Sequence, residues 1–178
     1  GAVARADVLL QYATAGNVHE FVTRAAEEWF RQPLLASLQR EGLSSDWYHT
    51  LSAAPDDRRV AMGGTRPDLG RNVSGLRHAV SLLIESRGVG LGRAHFARRV
   101  HSQVVAMTSV LQSAAARADD LVKLRRFVDS EASRLACQGE VVVEAAATPS
   151  EYTLRLLDPQ TGADKTVSVA WDSALQLQ

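Results

Sequence analysis

The chain has 178 residues, 46% apolar and 22% charged, with 20 Lys plus Arg against 20 Asp plus Glu. That composition excludes bulk disorder and suits one domain, or one with a small appendage. Charge neutrality leaves no long-range attraction for nucleic acid or an anionic membrane, so neither is expected as a partner.

Cys137 is the single cysteine, which excludes an internal disulfide and any multi-cysteine metal site. No apolar run is long enough to span a bilayer and no secretory leader is visible, and the compartment is not readable. The arginine pairs Arg58-Arg59, Arg98-Arg99 and Arg125-Arg126 read as solvated helix faces.

Residues 5–15, with Val8, Leu9, Leu10 and Tyr12, suggest a short helix or helix end. Asn17 followed by Glu20 has the form of a capping box. Val18, Phe21, Val22, Ala25, Trp29 and Phe30 then recur at helical spacing. Pro33 interrupts this helix or starts a second one, whose stripe is Leu34, Leu35 and Leu38, and Gly42 sits where a left-handed C-cap belongs.

Trp47–Leu51 reads as a short extended piece. Residues 52–75, rich in Gly, Pro, Asp, Asn and Arg, read as a long loop, and long ordered loops usually carry function. Ala79–Ile84 is apolar except for Ser81, as in a central strand buried on both faces, and Glu85 ends it. Phe96, Val100, Val104, Met107 and Leu111 predict the buried stripe of one helix; Leu121, Leu124, Val128, Ala132 and Leu135 predict that of another. Their join near residues 114–119 lacks Gly and Pro, so one long bent helix is possible. After Gly139, three alternating segments predict strands: Val141–Val143, Tyr152–Leu157 and Thr166–Trp171, the last two joined through Asp158-Pro159 and Gly162.

A carboxylate at the C-terminal end of a buried strand lies where open α/β sheets place their ligands, and partial burial would suit it to carrying a proton. The plain alternative is an ion pair of Glu85 with Arg87 or Arg71 that closes the strand end. Residues 70–88, from Gly70-Arg71-Asn72 to Ile84-Glu85-Ser86-Arg87-Gly88, resemble the strand that carries the catalytic glutamate of zinc carboxypeptidases, in the bacterial branch. The helix with Phe96 and Arg98-Arg99-Val100 is similar to that branch as well. So are Glu27-Glu28-Trp29-Phe30 and the loop Met62-Gly63-Gly64-Thr65-Arg66-Pro67-Asp68.

The resemblance covers residues 5–140 and implies a mixed-sheet α/β hydrolase of peptide or amide bonds. Two histidines and a glutamate hold one zinc ion in that family, and Glu85 stands in the position of the general base. A catalytic zinc needs three protein ligands and an open position. The family's ligands come from segments upstream of those matched here. His19, His49, His78, His95 and His101 lie in no such motif and read as surface or loop residues. The expectation is therefore a chain that lacks the ligand-bearing half, with zinc belonging to a longer parent. The family's usual carboxylate-binding arginine and asparagine lie upstream of the matched segments, and the loop before the strand lacks the family's tyrosine. Arg66 and Arg71 sit in the loop where they could grip an anion, with surface arginines as the plain alternative, and Tyr48 could serve only if the loop folds back.

Two other readings stand beside this one. Gly88-x-Gly90-x-Gly92 after a strand and before a helix evokes a nucleotide loop, but its third glycine comes one residue early. A non-catalytic binding or structural module is the other. The expected fold class is α/β: residues 1–139 as the C-terminal part of a mixed-sheet carboxypeptidase-like domain and residues 140–178 as a small β-rich extension with Trp171 and Tyr152 in its core. Expected partners are a peptide substrate for the parent and, for this chain, another copy of itself or the missing half.

Overall fold

The computed structural model describes residues 3–51, 60–88, 92–143, 148–158 and 160–173. Its centre is β2 (Val8–Tyr12), where the sequence suggested a helix. β3 (Ser45–Trp47) pairs with β2 in parallel and β6 (Leu82–Ser86) pairs with it antiparallel, in the order β3-β2-β6. Val8 and Leu10 are completely buried, and neighbours on both sides pair with backbone groups that a short helix would have left open at its ends. The continuous apolar run therefore marks β2 as the inner strand. The segment expected to be central, Ala79–Ile84, instead supplies β6, which is half-buried and paired only with β2 among the described residues.

The crossover from β2 to β3 is helical from Glu20 to Arg40. It begins as α1 (Glu20–Ala25), widens to a π-type segment (Ala26–Arg31) and continues as α2 (Gln32–Arg40). Pro33 explains the widening. Proline has no N–H to return to the preceding turn, and Gln32 reaches back five residues to the Glu27 carbonyl. Asn17 is not the cap. His19 takes that place, its Nδ1 accepting from Phe21 N–H at 3.2 Å, while Asn17 lies at φ +66°. The Asn17 amide pairs with the Val142 backbone in both directions, at 2.8 and 2.7 Å.

Gly42, at φ +65°, closes α2 as expected: its N–H bonds Gln39 O at 3.0 Å and Leu43 N–H bonds Leu38 O at 2.9 Å. The expected loop 52–75 is more structured than its composition suggests. It contains β5 (Val60–Met62), paired with β4 (His49–Leu51), and the start of α3 (Gly70–Leu76).

Two helices follow, α4 (Phe96–Ala116) and α5 (Ala118–Leu135), meeting at Arg117. α2 and α4 cover one face of the sheet, with Val8, Leu10, Leu34, Leu38, Leu43 and Ala106 as the core. α4 turns its small residues inward: Ser102, Ala106 and Ser109 are buried, and Ser37 Oγ meets Ser109 Oγ at 3.4 Å. The stripe expected to be buried, from Phe96 to Leu111, points to solvent. Helical periodicity identifies a face but not which of two opposed apolar faces meets the sheet. The leucines of α2 fill the space here, so the small face fits. On α5 Val128 is fully buried, while Leu135 is half-exposed.

Asp7, just before β2, fastens this layer. Arg98 of α4 grips its carboxylate with two bonds, at 2.7 and 2.8 Å, and Ser44 adds its N–H and hydroxyl at 2.9 Å each. Arg98 thus holds the helix to the sheet and is not a simple solvated arginine.

The last part of the chain forms a hairpin of β7 (Thr148–Leu157) and β8 (Asp164–Ser173). Its turn uses Asp158, whose carboxylate accepts from the N–H groups of Gln160 and Thr161, and Gly162 at φ +69°. Val141–Val143 is not a strand, and its side chains are exposed. β1 (Val3–Ala4) adds to β7, so the hairpin sheet includes the start of the described chain. A Tyr152 hydroxyl bond to Asp46 of β3 links this sheet to the central one, while an Arg5–Asp164 ion pair at 2.7 Å ties the residue after β1 to β8. Tyr152 packs against Tyr12 and Trp47 of the central sheet and not in a separate core of the extension, while the Trp171 side chain lies outside the described residues. The fold is mixed α/β; the described residues form one mixed sheet, the antiparallel sheet of the hairpin with β1, and a small antiparallel two-stranded sheet.

Candidate functional site

Side chains alternate across a strand, so the register of β2 and β6 sorts residues by face. Val8 and Leu10 with Ile84 face the helices. Leu9 opposite Glu85 and Gln11 opposite Leu83 therefore share the other face. Glu85 is exposed there. Its expected partial burial is not found, because β6 has no strand beyond it among the described residues.

Tyr48 and Arg71 reach the same surface by different routes. Tyr48 links β3 to β4; its N–H bonds Leu10 O at 3.0 Å and its carbonyl accepts from Gly63 N–H at 3.1 Å. Arg71 lies in the first turn of α3, and its guanidinium stands 5.8 Å from the centre of the Tyr48 ring. Burial raises the Tyr48 phenol above its ordinary value, the Glu85 charge raises it further, and Arg71 opposes both. Burial lowers the Arg71 guanidinium, while Tyr48 and Glu85 support its charge. The three residues thus form one electrostatic group of carboxylate, phenol and guanidinium.

Arg66 does not join them. It is 77% exposed and grips Asp68, with Nε donating to Oδ1 at 3.0 Å. The reason is local: Asp68 lies two residues away in the same turn, so the pair closes without help from the fold.

A buried polar frame supports the group, and two of its members, Asn72 and Gln11, were not singled out by the sequence reading. Asn72 is completely buried. Its oxygen accepts from Thr14 N–H at 2.9 Å, and its nitrogen donates to Gly64 O at 3.2 Å and Arg66 O at 2.8 Å. Gln11 is 1% exposed and donates to Thr14 Oγ1 at 3.1 Å. A glutamine inside an apolar strand run was the one available hint. Arg71 Nη2 adds a bond to Gly64 O at 2.9 Å, and Ser81 Oγ bonds Arg71 O at 2.6 Å, which ties α3 to β6. The loop after β5 is therefore held at Gly64 and Arg66 by the α3 side chains Arg71 and Asn72.

Gly63 is a requirement of that frame. A Cβ there would lie 1.8 Å from Gln11 Oε1. Gly63→Ala is expected to lower stability by about 1–3 kcal/mol through overpacking. Thermal unfolding measures it; an unchanged midpoint would mean that the glutamine amide swings away freely.

The histidines are dispersed. His78 meets Asp129 at 2.6 Å, His101 meets Glu41 at 3.1 Å, His95 begins α4 and His19 caps α1. His49 departs from the surface expectation: it is 4% exposed on β4, with Nδ1 2.8 Å from Trp47 O. Among the described residues no three His, Cys, Asp or Glu side chains stand together to hold a metal ion. The described residues therefore do not fit a catalytic zinc, which needs three. Of the glycines read as a nucleotide loop, Gly90 lies outside the described residues. Gly88 lies close under Arg99, whose Nη1 bonds Gly92 O at 2.9 Å.

No family model and no solved structure matches the chain. Curated relatives do. The chain is 33% identical over 159 residues to "Probable carboxypeptidase 2" of Trichophyton verrucosum (strain HKI 0517), covering 86% of the chain and 29% of that relative. It is 33% identical over 131 residues to "Carboxypeptidase 2" of Trichophyton rubrum, covering 70% of the chain and 24% of the relative. These relatives are named carboxypeptidases, and the chain spans less than a third of their length.

Proposed function

We propose that the chain is part of a zinc-dependent, metallocarboxypeptidase-like hydrolase of peptide or amide bonds, in which Glu85 is the general base. The observation that carries this reading is the gathering of Glu85, Tyr48 and Arg71 on one sheet face, in a chain whose relatives are named carboxypeptidases. The Glu85 carboxylate takes a proton from the attacking water and gives it to the leaving amine as the C–N bond breaks. A base so placed contributes about a hundredfold to ten-thousandfold. Arg71 and Tyr48 supply a cation and a hydroxyl beside it, suited to an anionic or carbonyl group of the substrate. In this reading the metal is held by residues outside those described, in the longer protein.

Glu85→Gln in the full-length parent is expected to lower kcat on the order of a hundredfold or more. The melting temperature should change little, because Glu85 is exposed. A variant that keeps most of its kcat would remove Glu85 from this role.

A further inference from the structure

A cleft of about 480 Å³ opens between the end of α3 and the middle of α5, lined by Ser74, Arg77, His78, Ala79, Arg125 and Asp129. None of these residues belongs to the Glu85 group. All but Ala79 are polar, and Asp129 is the only acid in the lining. Such a lining suits a small charged ligand rather than an apolar one.

The pairing within the cleft sets the sign of that ligand. Asp129 Oδ1 meets His78 Nδ1 at 2.6 Å, and Asp129 Oδ2 stands 3.8 Å from Arg125 Nε. The imidazole is the closer partner, so the Nη groups of Arg125 have no acceptor among the described residues. Arg77 has no acidic partner among them either, and the Ser74 hydroxyl makes no hydrogen bond. Two guanidinium groups against one carboxylate leave the cleft positive whether or not His78 is protonated. The carbonyls at the end of α3 are already taken: Val73, Ser74 and Gly75 accept from the N–H groups of Arg77, Ala79 and His78, at 3.1, 3.0 and 2.9 Å.

His78 is a second, independent sign. It stands at φ +61° after α3, in the place that Gly42 takes after α2. Glycine is the usual residue at such a cap, and any other side chain strains the backbone there. A strained residue kept beside a cleft points to a use for its side chain. The imidazole holds Asp129 and so keeps that carboxylate from closing on Arg125.

We propose that this cleft binds a phosphoryl group, free or as a phosphate monoester, between Arg77 and Arg125, with Ser74 as a further donor. The two guanidinium groups come from the end of α3 and from α5, so they approach an anion from two elements. A tetrahedral anion offers oxygens to both, whereas a planar carboxylate fills one fork.

The test is a chemical-shift titration of the isotope-labelled chain at constant ionic strength. Inorganic phosphate should bind in the millimolar range, with shifts confined to the residues around the cleft, and acetate at least about tenfold more weakly. Phenyl phosphate separates the sources: tighter binding than phosphate assigns the site to an ester, weaker binding to the free ion, and both support the proposal. Equal binding of acetate, shifts spread over the whole surface, or no binding of either phosphate at tens of millimolar overturns it. Arg77→Ala should weaken phosphate binding at least about tenfold. Its far-UV dichroism should not change, because Arg77 is exposed. Arg126→Ala removes the same charge from α5 outside the lining and should change binding by less than about twofold. Equal losses would mean a general attraction of charge and no site. His78→Gly should keep the turn, since glycine takes this φ freely, and weaken binding as Asp129 turns to Arg125; undiminished binding would overturn that arrangement. The full-length parent should bind phosphate as the chain does. Binding by the chain and not by the parent would mean that another part of the protein fills the cleft, and would overturn the site.

Discussion

Leu10→Ala is expected to destabilise the protein by about 3 kcal/mol, and to lower its melting temperature by about 6–12 °C for a chain of this size. Leu10 is completely buried on the inner strand, where Val8, Leu34, Leu38 and Ala106 close around it. Truncation removes transfer free energy and leaves a cavity that cannot collapse, because β3 and β6 fix the backbone on both sides. Leu9 is the control. It lies on the opposite face and is only half-buried, so Leu9→Ala should cost much less. Chemical denaturation of the two variants reads the difference. Equal losses would mean that the helical layer does not cover the Val8–Leu10 face.

Asp7→Ala is expected to cost about 3 kcal/mol, because Arg98 and Ser44 would lose their shared acceptor at a site where the carboxylate side chain is 10% exposed. The same residue gives stability a pH dependence. Burial alone would raise the Asp7 carboxyl, but bonds from Arg98 and Ser44 outweigh it and hold the pKa down at about 2. A carboxyl depressed in the folded state contributes its stability in full above its unfolded value, near 4. That contribution fades as pH falls from there through about 2. A depression of nearly two units corresponds to about 2 kcal/mol. Denaturation from pH 5 down to pH 2 should show this loss in the native protein and a correspondingly weaker acid dependence in Asp7→Ala. Parallel acid profiles would show that the Arg98 grip is not maintained in solution.

The contrast between Arg66 and Arg71 shows how far loop composition reaches. Both stand in one Gly- and Asp-rich stretch, and both were expected to grip a substrate anion. Arg66 finds Asp68 within its own turn. Arg71 has no acid so near, and the fold carries it over Tyr48, within the influence of Glu85. Asn72 was not expected at all, since its role depends on Thr14, 58 residues away in sequence.

The sequence by itself determined several of the elements and some of their ends. Gly42 closed a helix because only a residue at ease at positive φ fits there, Pro33 marked the join in the first helical region, and the alternating stretches around Tyr152 and Trp171 became a hairpin. These are local effects, set by one residue's backbone freedom or by a repeat of two. The tertiary structure decided what local rules leave degenerate. It made Val8–Tyr12 a strand and not a helix, because two neighbouring strands satisfy its backbone. It placed β6 at the edge, which left Glu85 in solvent. It also chose which face of α4 to bury. That helix has an apolar stripe on one side and small residues on the other; only the small side lets it approach the leucines of α2 closely, so the larger side chains were left outside.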